Sequence, residues 1–224
     1  MPVITIRPGI YLIGGPELTF YLDLYFYAIV TNKDNIILID SGSGKGFTNT
    51  IRNLMELGLS PLKVRYIINT HCHVDVAGGD YYFHNTFGTS IIAHEPDSLI
   101  IQHGDPKRTL AEELNIPFNP VPVYISIRRP VEKITLDDAE LFIYHCPGHT
   151  EGSVLVLAMI NGFKVLFGGD SIIPDNGRFK VEVLEDKRKL LLDLDYHAAC
   201  FNRFYLRDNA KETIETILLS SRIE

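Results

Sequence analysis

Cysteine is scarce in this sequence and shows no disulfide pattern. The 224 residues include three cysteines, Cys72, Cys146 and Cys200, which are widely spaced and form no C-x-x-C pair. Small secreted proteins that depend on disulfides carry dense, even-numbered cysteines. The sequence therefore argues against a disulfide scaffold and favours a reducing compartment, so we expect a cytoplasmic protein.

Long apolar runs and an excess of positive charge are absent as well. No stretch has the ~18 consecutive apolar residues of a membrane-spanning helix, and residues 1–9 lack the basic-then-apolar pattern of a secretory signal. Lys and Arg total 21 against 28 Asp and Glu, which gives a net charge of −7. Nucleic-acid binders normally carry the opposite excess, because they neutralise phosphates. We therefore expect neither a membrane nor a nucleic acid as a partner.

What is present is the composition of a folded globular protein. Hydrophobic residues make up 46% of the chain and charged residues 22%, which is ordinary for a soluble domain. A chain of this length can bury ~70% of its unfolded surface. We predict a single domain over residues 1–224; the sequence fixes no oligomeric state, and a homodimer is the commonest soluble oligomer.

Apolar periodicity predicts strands and helices along most of the chain. The predicted strands cover residues 3–6, 10–13, 25–30, 36–39, 64–69, 90–93, 141–144, 154–159 and 164–167, and the predicted helices residues 44–57, 184–195 and 209–219. Six of the 12 prolines fall between residues 95 and 130. We interpret residues 95–130 as a lid or insertion, with one short helix over residues 107–114.

A weak internal repeat suggests how the strands are arranged. Residues 28–30 and 36–39 form an apolar pair around a polar turn and lead to Asp40, and residues 156–159 and 165–167 lead in the same way to Asp170. A duplicated hairpin unit predicts two sheets packed face to face with helices outside.

Histidine and aspartate cluster at predicted strand ends. His71 and His73, two residues apart, follow the strand over residues 64–69, and Asp75 comes two residues later. The loop C-P-G-H-T-E-G-S places His149 between two further strands, and G-G-D-S places Asp170 at the end of another. Imidazoles that converge on one point bind zinc, iron or copper, and a nearby carboxylate can ligate the metal or orient water.

With these motifs in this order, the chain resembles the metallo-β-lactamase superfamily of metal-dependent hydrolases, which includes glyoxalase II-like enzymes. The resemblance runs from Asp40-Ser41-Gly42 through T-H-C-H-V-D and P-G-H-T-E-G-S to G-G-D-S. It implies an α/β fold, the four-layer αββα sandwich, with a metal site at one edge between the sheets. By the same resemblance His71, His73 and His149 hold the first metal, Asp170 matches a carboxylate that bridges two metals, Asp75 matches a ligand of the second metal, and Asp40 is a bracing residue.

Two departures from the family pattern predict a single metal ion. The family usually has histidine where Val76 stands, and valine has no donor atom. The late Gly-His ligand is also missing; Asn202 falls closest to its place, with His197 and Cys200 nearby. Two carboxylates and water make a poor second zinc site beside three histidines and one carboxylate. We therefore expect one zinc ion, with iron as the alternative.

The resulting prediction is a metal-dependent hydrolase of a small ester, thioester or lactone. Three histidines hold the ion, Asp170 completes the ligand set, and Asp75 orients or deprotonates the attacking water. An alternative is a mononuclear iron dioxygenase acting on a persulfide, because His71, His149 and Asp170 also match a two-histidine, one-carboxylate iron site. A second alternative is a non-catalytic member of the family that has lost metal ligands.

Overall fold

Two β-sheets form the centre of the computed structural model, which describes residues 3–221. The first sheet contains, in spatial order, β1 (Ile4–Arg7), β2 (Ile10–Gly14), β3 (Phe26–Val30), β4 (Ile36–Ile39), β5 (Val64–Ile68), β6 (Ser90–His94) and β7 (Val123–Ile127). The second contains β8 (Val131–Leu136), β9 (Ala139–His145), β10 (Val154–Ile160), β11 (Phe163–Phe167), β14 (Ala198–Cys200) and β15 (Tyr205–Leu206). Strands β12 (Ile172–Asp175) and β13 (Arg178–Val181) pair separately as a hairpin.

Seven α-helices accompany the sheets in the described range. They are α1 (Phe47–Glu56), α2 (Val74–Ala77), α3 (Asp80–Phe87), α4 (Asp97–His103), α5 (Ala111–Leu114), α6 (Glu185–Asp193) and α7 (Ala210–Ser220). A 3₁₀ turn covers Pro61–Lys63. None of the helices within residues 3–221 is both long and apolar enough to cross a membrane.

Both sheets repeat one pairing plan. In the first sheet β3 and β4 are antiparallel, and β4 and β5 are parallel. In the second sheet β10 and β11 are antiparallel, and β11 and β14 are parallel. The hairpin β3–β4 leads to Asp40 and the hairpin β10–β11 leads towards Asp170, as the internal repeat predicts.

Alternating side chains place each sheet between two apolar layers. Along β10, Val154 and Val156 face the core between the sheets, whereas Leu155 packs in the outer layer with α6 and α7. On β4, Ile37 faces the core between the sheets and Leu38 packs in the layer that contains residues of α1, α3 and α4. Because side chains of a strand alternate with period two, a run that is apolar throughout is buried on both faces. The four-layer αββα sandwich predicted from the sequence is confirmed.

The region over residues 95–130 is more regular than the sequence indicated. Strand β7 continues the first sheet by pairing in parallel with β6, and β8 begins the second sheet directly afterwards. The expected helix over residues 107–114 shrinks to α5, because Leu110 has a φ of 58° and so stops the helix from extending backwards. Helix α4 and strands β7 and β8 were not predicted. The two strands alternate with polar residues and are flanked by prolines, so they lack the continuous apolar run of a buried strand.

Candidate metal centre

Three histidines meet at one edge of the sandwich. His71 and His73 come shortly after β5, and His149 lies in the loop between β9 and β10. Their ligand atoms all lie within 4.8 Å of one another. The Nε2 atom of His149 is 3.1 Å from the Nδ1 atom of His73. The rings of His71, His73 and His149 stand nearly perpendicular, with centroids 4.7–4.8 Å apart in each pair. The nitrogen atoms of the three rings therefore face one small volume.

The donor set fits a metal ion on two observations. Two nitrogens bound to one tetrahedral zinc at ~2.0–2.1 Å lie ~3.3 Å apart, close to the separation of His149 and His73. The Nε2 atom of His71 is buried and has no hydrogen-bond partner in the described part of the chain. A buried nitrogen without a partner is costly unless something else binds it, and a metal ion satisfies all three imidazoles together.

A chain of hydrogen bonds orients the ring of His71. Asn202 Nδ2 donates to Asp40 Oδ2 at 2.8 Å, and the Thr70 hydroxyl lies 2.9 Å from the same oxygen. Since that hydroxyl donates to the carboxylate, it accepts from His71 Nδ1, which is 3.1 Å away. The proton of His71 is thus held on Nδ1, and Nε2 keeps its lone pair for a metal.

Asp40 itself is held in an unusual backbone conformation. It directly follows β4 with a φ of 64°, a region that residues other than glycine and asparagine rarely occupy. Its carboxylate also accepts the backbone N–H of Thr70 at 2.7 Å. Burial raises the pKa of Asp40 to about 7, although the hydrogen bonds from Asn202 and Thr70 oppose the rise. The residue is placed to brace the start of the histidine loop.

Asp97 joins the two histidine loops to each other. Its Oδ2 atom accepts the backbone N–H of Cys72 at 2.9 Å and the hydroxyl of Thr150 at 2.6 Å. Its Oδ1 atom accepts the backbone N–H of Gly152 at 3.0 Å. Cys72 lies between His71 and His73, and Thr150 follows His149, so one buried carboxylate ties together the two loops that carry the three histidines. Asp97 was not predicted as a site residue, because it stands in the proline-rich region.

Asp170 lies next to the cluster but is also engaged by an arginine. Its Oδ2 atom is 3.8 Å from His149 Nε2. Arg203 donates to that same oxygen from Nη2 at 3.1 Å and from Nε at 3.3 Å, while Oδ1 is buried and has no partner within residues 3–221. Burial raises the pKa of Asp170, and the neighbouring Arg203 opposes the rise.

Asp75 lies at the start of α2, is half-buried and is influenced by the charges of Asp170 and Arg203. Its Oδ1 atom has no hydrogen-bond partner among the described residues. Burial, followed by the negative charge of Asp170, raises the pKa of Asp75 to about 7, and Arg203 acts in the opposite direction. Such a carboxyl group exchanges a proton near neutral pH, which suits a general base.

The electrostatic environment keeps the histidines neutral. Burial lowers the pKa of His73 to about 4 and that of His71 well below its usual range, and the neighbouring histidines lower both further. Burial also lowers the pKa of His149. Neutral imidazole is the form that binds metals, so all three side chains are available as ligands at neutral pH.

The structure distinguishes the predicted site residues from one another. The group able to hold a metal consists of His71, His73 and His149, and it includes neither Asp170 nor Asp75. Asn202 lies beside Thr70 and Asp40, where its amide braces the site.

The two other candidates for a late ligand lie elsewhere. Cys200 packs in the core between the sheets, and His197 is exposed and accepts the backbone N–H of Lys164. Neither belongs to the group able to hold a metal. Arg203 was missed by the sequence reading, although its place directly after Asn202, where a family ligand is lost, could have drawn attention to it.

A cavity of about 350 Å³ adjoins the cluster. Its lining includes His149, Cys72 and Asp97, together with the apolar Ile100 and Leu184. The charged pair Arg108 and Glu151, 3.5 Å apart, stands at its exposed rim. This volume lies at the lower end of the range for small-molecule sites.

Comparison with known proteins identifies one family. The family model described as the metallo-beta-lactamase superfamily matches residues 24–200. A relative named "Probable metallo-hydrolase" from Methanocaldococcus jannaschii is 30% identical over 131 residues. That match covers 58% of this chain and 60% of the relative, so the chain spans less than two thirds of the relative's length.

Solved structures with the same fold are more distant in sequence. A native metallo-beta-lactamase from Legionella gormanii superposes with a TM-score of 0.79 at 17% identity, over 99% of this chain and 94% of that one. A class B3 di-zinc metallo-beta-lactamase from an Alaskan soil metagenome superposes with a TM-score of 0.71 at 19% identity, over 90% of this chain and 78% of that one. These structures share the fold with this chain.

Proposed function

The chain belongs to the metallo-beta-lactamase superfamily, and we propose that it is a metal-dependent hydrolase that cleaves a small ester, thioester or lactone with one resident zinc ion. The observation that carries this proposal is the convergence of His71, His73 and His149, whose ligand atoms lie within 4.8 Å of one another. The Nε2 atom of His71 supports it further, because it is buried without a hydrogen-bond partner among the described residues and the Thr70 hydroxyl orients its ring.

Three neutral imidazoles are the ligand set that suits zinc in a catalytic site. One solved neighbour is described as a di-zinc enzyme, which supports zinc as the metal here. When bound, the ion supplies a Lewis acid for a carbonyl group and lowers the pKa of a coordinated water. The three histidines hold the ion, and we propose that Asp170 completes the ligand set, since its Oδ2 atom lies 3.8 Å from His149 Nε2 and its Oδ1 atom has no partner among the described residues.

Asp75 is the residue that takes the proton of the attacking water. Its Oδ1 atom is buried and unpaired, and burial raises its pKa to about 7, so it accepts and releases a proton at neutral pH. A group that binds a proton at Oδ1 can return it to the leaving alkoxide or thiolate. Asp75 thus serves as general base and then as general acid.

The cavity supports a small substrate. A volume of about 350 Å³ is enough to hold a compact acyl compound. Ile100 and Leu184 supply an apolar wall, and Ile100 and Arg108 come from the region over residues 95–130. We therefore keep the interpretation of residues 95–130 as a lid over the cavity, within a single domain over residues 1–224. Strand β7 attaches this lid to the first sheet.

The geometry favours the hydrolase over the two alternatives. A two-histidine, one-carboxylate iron site leaves His73 without a role, whereas His73 forms one group able to hold a metal with His71 and His149. A family member that has lost its metal has no use for a buried Nε2 atom on His71 that lacks a partner among the described residues, or for the hydrogen bonds that orient it.

Elemental analysis tests the proposal directly. The protein is purified without a metal-affinity tag from cells supplied with zinc and iron, and about one zinc per chain is expected. His71→Ala and His149→Ala should lose the metal, whereas His103→Ala, which alters an exposed histidine outside the cluster, should keep it. The loaded protein is then assayed with esters, thioesters and lactones.

The other outcomes are equally informative. About one iron, together with oxygen uptake on a persulfide, would replace the hydrolase with the dioxygenase. A protein that binds no metal in any form would establish the non-catalytic alternative.

A further inference from the structure

Two carboxylates, Asp170 and Asp75, lie beside the histidine cluster, and the positive charge of Arg203 acts on both. Asp170 receives two hydrogen bonds from Arg203, at 3.1 and 3.3 Å, and the charge of Arg203 also lowers the pKa of Asp75. The carboxylate of Asp170 is 1% exposed and the arginine side chain 40% exposed. Arg203 therefore reaches from the surface into the site, and its side chain is partly exposed to solvent.

The loop that carries Arg203 is firmly held. The preceding residue, Asn202, is buried and donates from Nδ2 to the backbone oxygen of Tyr25 at 3.0 Å as well as to Asp40. The backbone N–H of Asn202 bonds to the oxygen of Gly169, directly before Asp170. The residues that precede Arg203 and Asp170 are thus joined through their backbones, which holds the two side chains next to each other.

We propose that the Arg203 guanidinium takes the place of a second metal ion beside Asp170 and Asp75, and so limits the centre to one divalent ion. This inference rests on the proposed function, since it assumes the metal centre formed by the three histidines. A guanidinium stays protonated at any pH the protein meets, so its charge cannot be removed to admit another cation.

Charge balance supports this role. Two carboxylates at a buried site require compensating positive charge. One divalent ion and one guanidinium beside Asp75 and Asp170 leave a single net positive charge, whereas a further divalent ion would leave three. Any second ion would have to bind the same two carboxylates, and Arg203 already occupies Oδ2 of Asp170.

A purely structural ion pair gives different expectations. If Arg203 only holds its loop, removing it should lower stability and leave the number of bound ions unchanged. If it substitutes for an ion, removing its charge should open a place for one. Arg203→Met keeps the length and packing of the side chain and removes the charge, and Arg203→Lys keeps the charge.

Metal titration of the full-length protein separates these roles. Metal-free wild type, Arg203→Met and Arg203→Lys are dialysed against zinc, and in parallel against cobalt with the visible absorption as readout. We expect one equivalent for wild type and Arg203→Lys. Arg203→Met should bind a second equivalent at least tenfold more tightly than wild type does. The matched control Arg207→Met, an exposed arginine four residues later, should behave as wild type.

A second pair of variants keeps the test decisive if two carboxylates alone hold the extra ion too weakly. Val76→His supplies an imidazole next to Asp75, and we expect it to bind one equivalent while Arg203 is present. Val76→His combined with Arg203→Met should bind two. Retention of the first equivalent shows in each case that the site is still folded.

The inference and the proposed function fail in different ways. A wild type that binds no metal overturns the proposed function. A wild type that binds two equivalents, or a double variant that still binds one, overturns only the role of Arg203. An Arg203→Lys variant that admits a second ion as readily as Arg203→Met also overturns it, because the charge would then be irrelevant.

Discussion

Asp97 and Cys72 are joined by a hydrogen bond of 2.9 Å from the backbone N–H of the cysteine to a carboxylate oxygen. The same carboxylate accepts the backbone N–H of Gly152, on the loop that carries His149. The spacing between the histidines of the first loop and His149 therefore depends on one aspartate that is not itself a member of the metal-binding group.

Replacing Asp97 should weaken the metal site without removing a ligand. We expect Asp97→Asn and Asp97→Ala to lower the affinity for zinc about 10- to 100-fold, since residues that position ligands typically contribute that much. Competition with a chromogenic chelator measures the change. Asp138→Asn, at an exposed turn where the carboxylate accepts the N–H of Asn32, is the matched control. An affinity equal to that of the control would show that the loops hold their spacing without Asp97.

The hydroxyl of Thr70 should control the orientation of His71. Thr70→Val keeps the shape of the side chain and removes the group that links Asp40 to His71 Nδ1. We expect zinc affinity to fall about tenfold and Thr70→Ser to restore it. Chelator competition again gives the affinity, and NMR of the imidazole nitrogens reports the tautomer. A Thr70→Val protein with unchanged affinity and tautomer would contradict the proposed hydrogen-bond chain.

Asn202 should matter for stability and little for metal content. Its amide donates to Asp40 at 2.8 Å and to the backbone of Tyr25 at 3.0 Å. Asn202→Ala leaves both buried acceptors without that donor, which should reduce the free energy of unfolding by about 1–3 kcal/mol. Urea unfolding measures the loss, and elemental analysis should still find one ion. Loss of the ion at normal stability would instead identify Asn202 as a ligand.

Asp80 should make the stability of the metal-free protein depend on pH. The carboxyl group is buried and accepts hydrogen bonds from Ser41 and Asn69, and burial raises its pKa from 3.8 to about 7. The folded state therefore binds the proton more tightly than the unfolded state does. The stabilisation is complete below about pH 3.8 and is lost as the pH rises through about 7.

The variant Asp80→Asn isolates this contribution. Between about pH 4 and pH 8 the wild type should lose up to about 4 kcal/mol of unfolding free energy relative to Asp80→Asn. Asp40 and Asp75 also have raised pKa values and are present in both proteins. The charge of Asp40 contributes to the raised pKa of Asp80, so the comparison measures Asp80 together with its interaction with Asp40. Urea unfolding at a series of pH values tests this, and parallel curves for the two proteins would refute it.

The sequence alone indicated the fold and the three histidines, because both leave local signals. A strand buried on both faces reads as a continuous apolar run, as in β4 and β10, and the bounds of β4 agree with the prediction to the residue. Candidate ligands that come soon after a strand, such as His71 after β5, are marked by that strand. The cytoplasmic location, the homodimer and the absence of nucleic-acid or membrane partners stay predictions.

The tertiary structure decided how the carboxylates are used. Arg203 meets Asp170 across 33 residues, Gly152 meets Asp97 across 55, and Asn202 meets Asp40 across 162. None of these pairs has a spacing that a strand or a helix imposes, so no period in the sequence points to them. They form because the folded sheets bring the strand ends to one edge, and it is there that the chain acquires one metal-binding cluster with an arginine beside it.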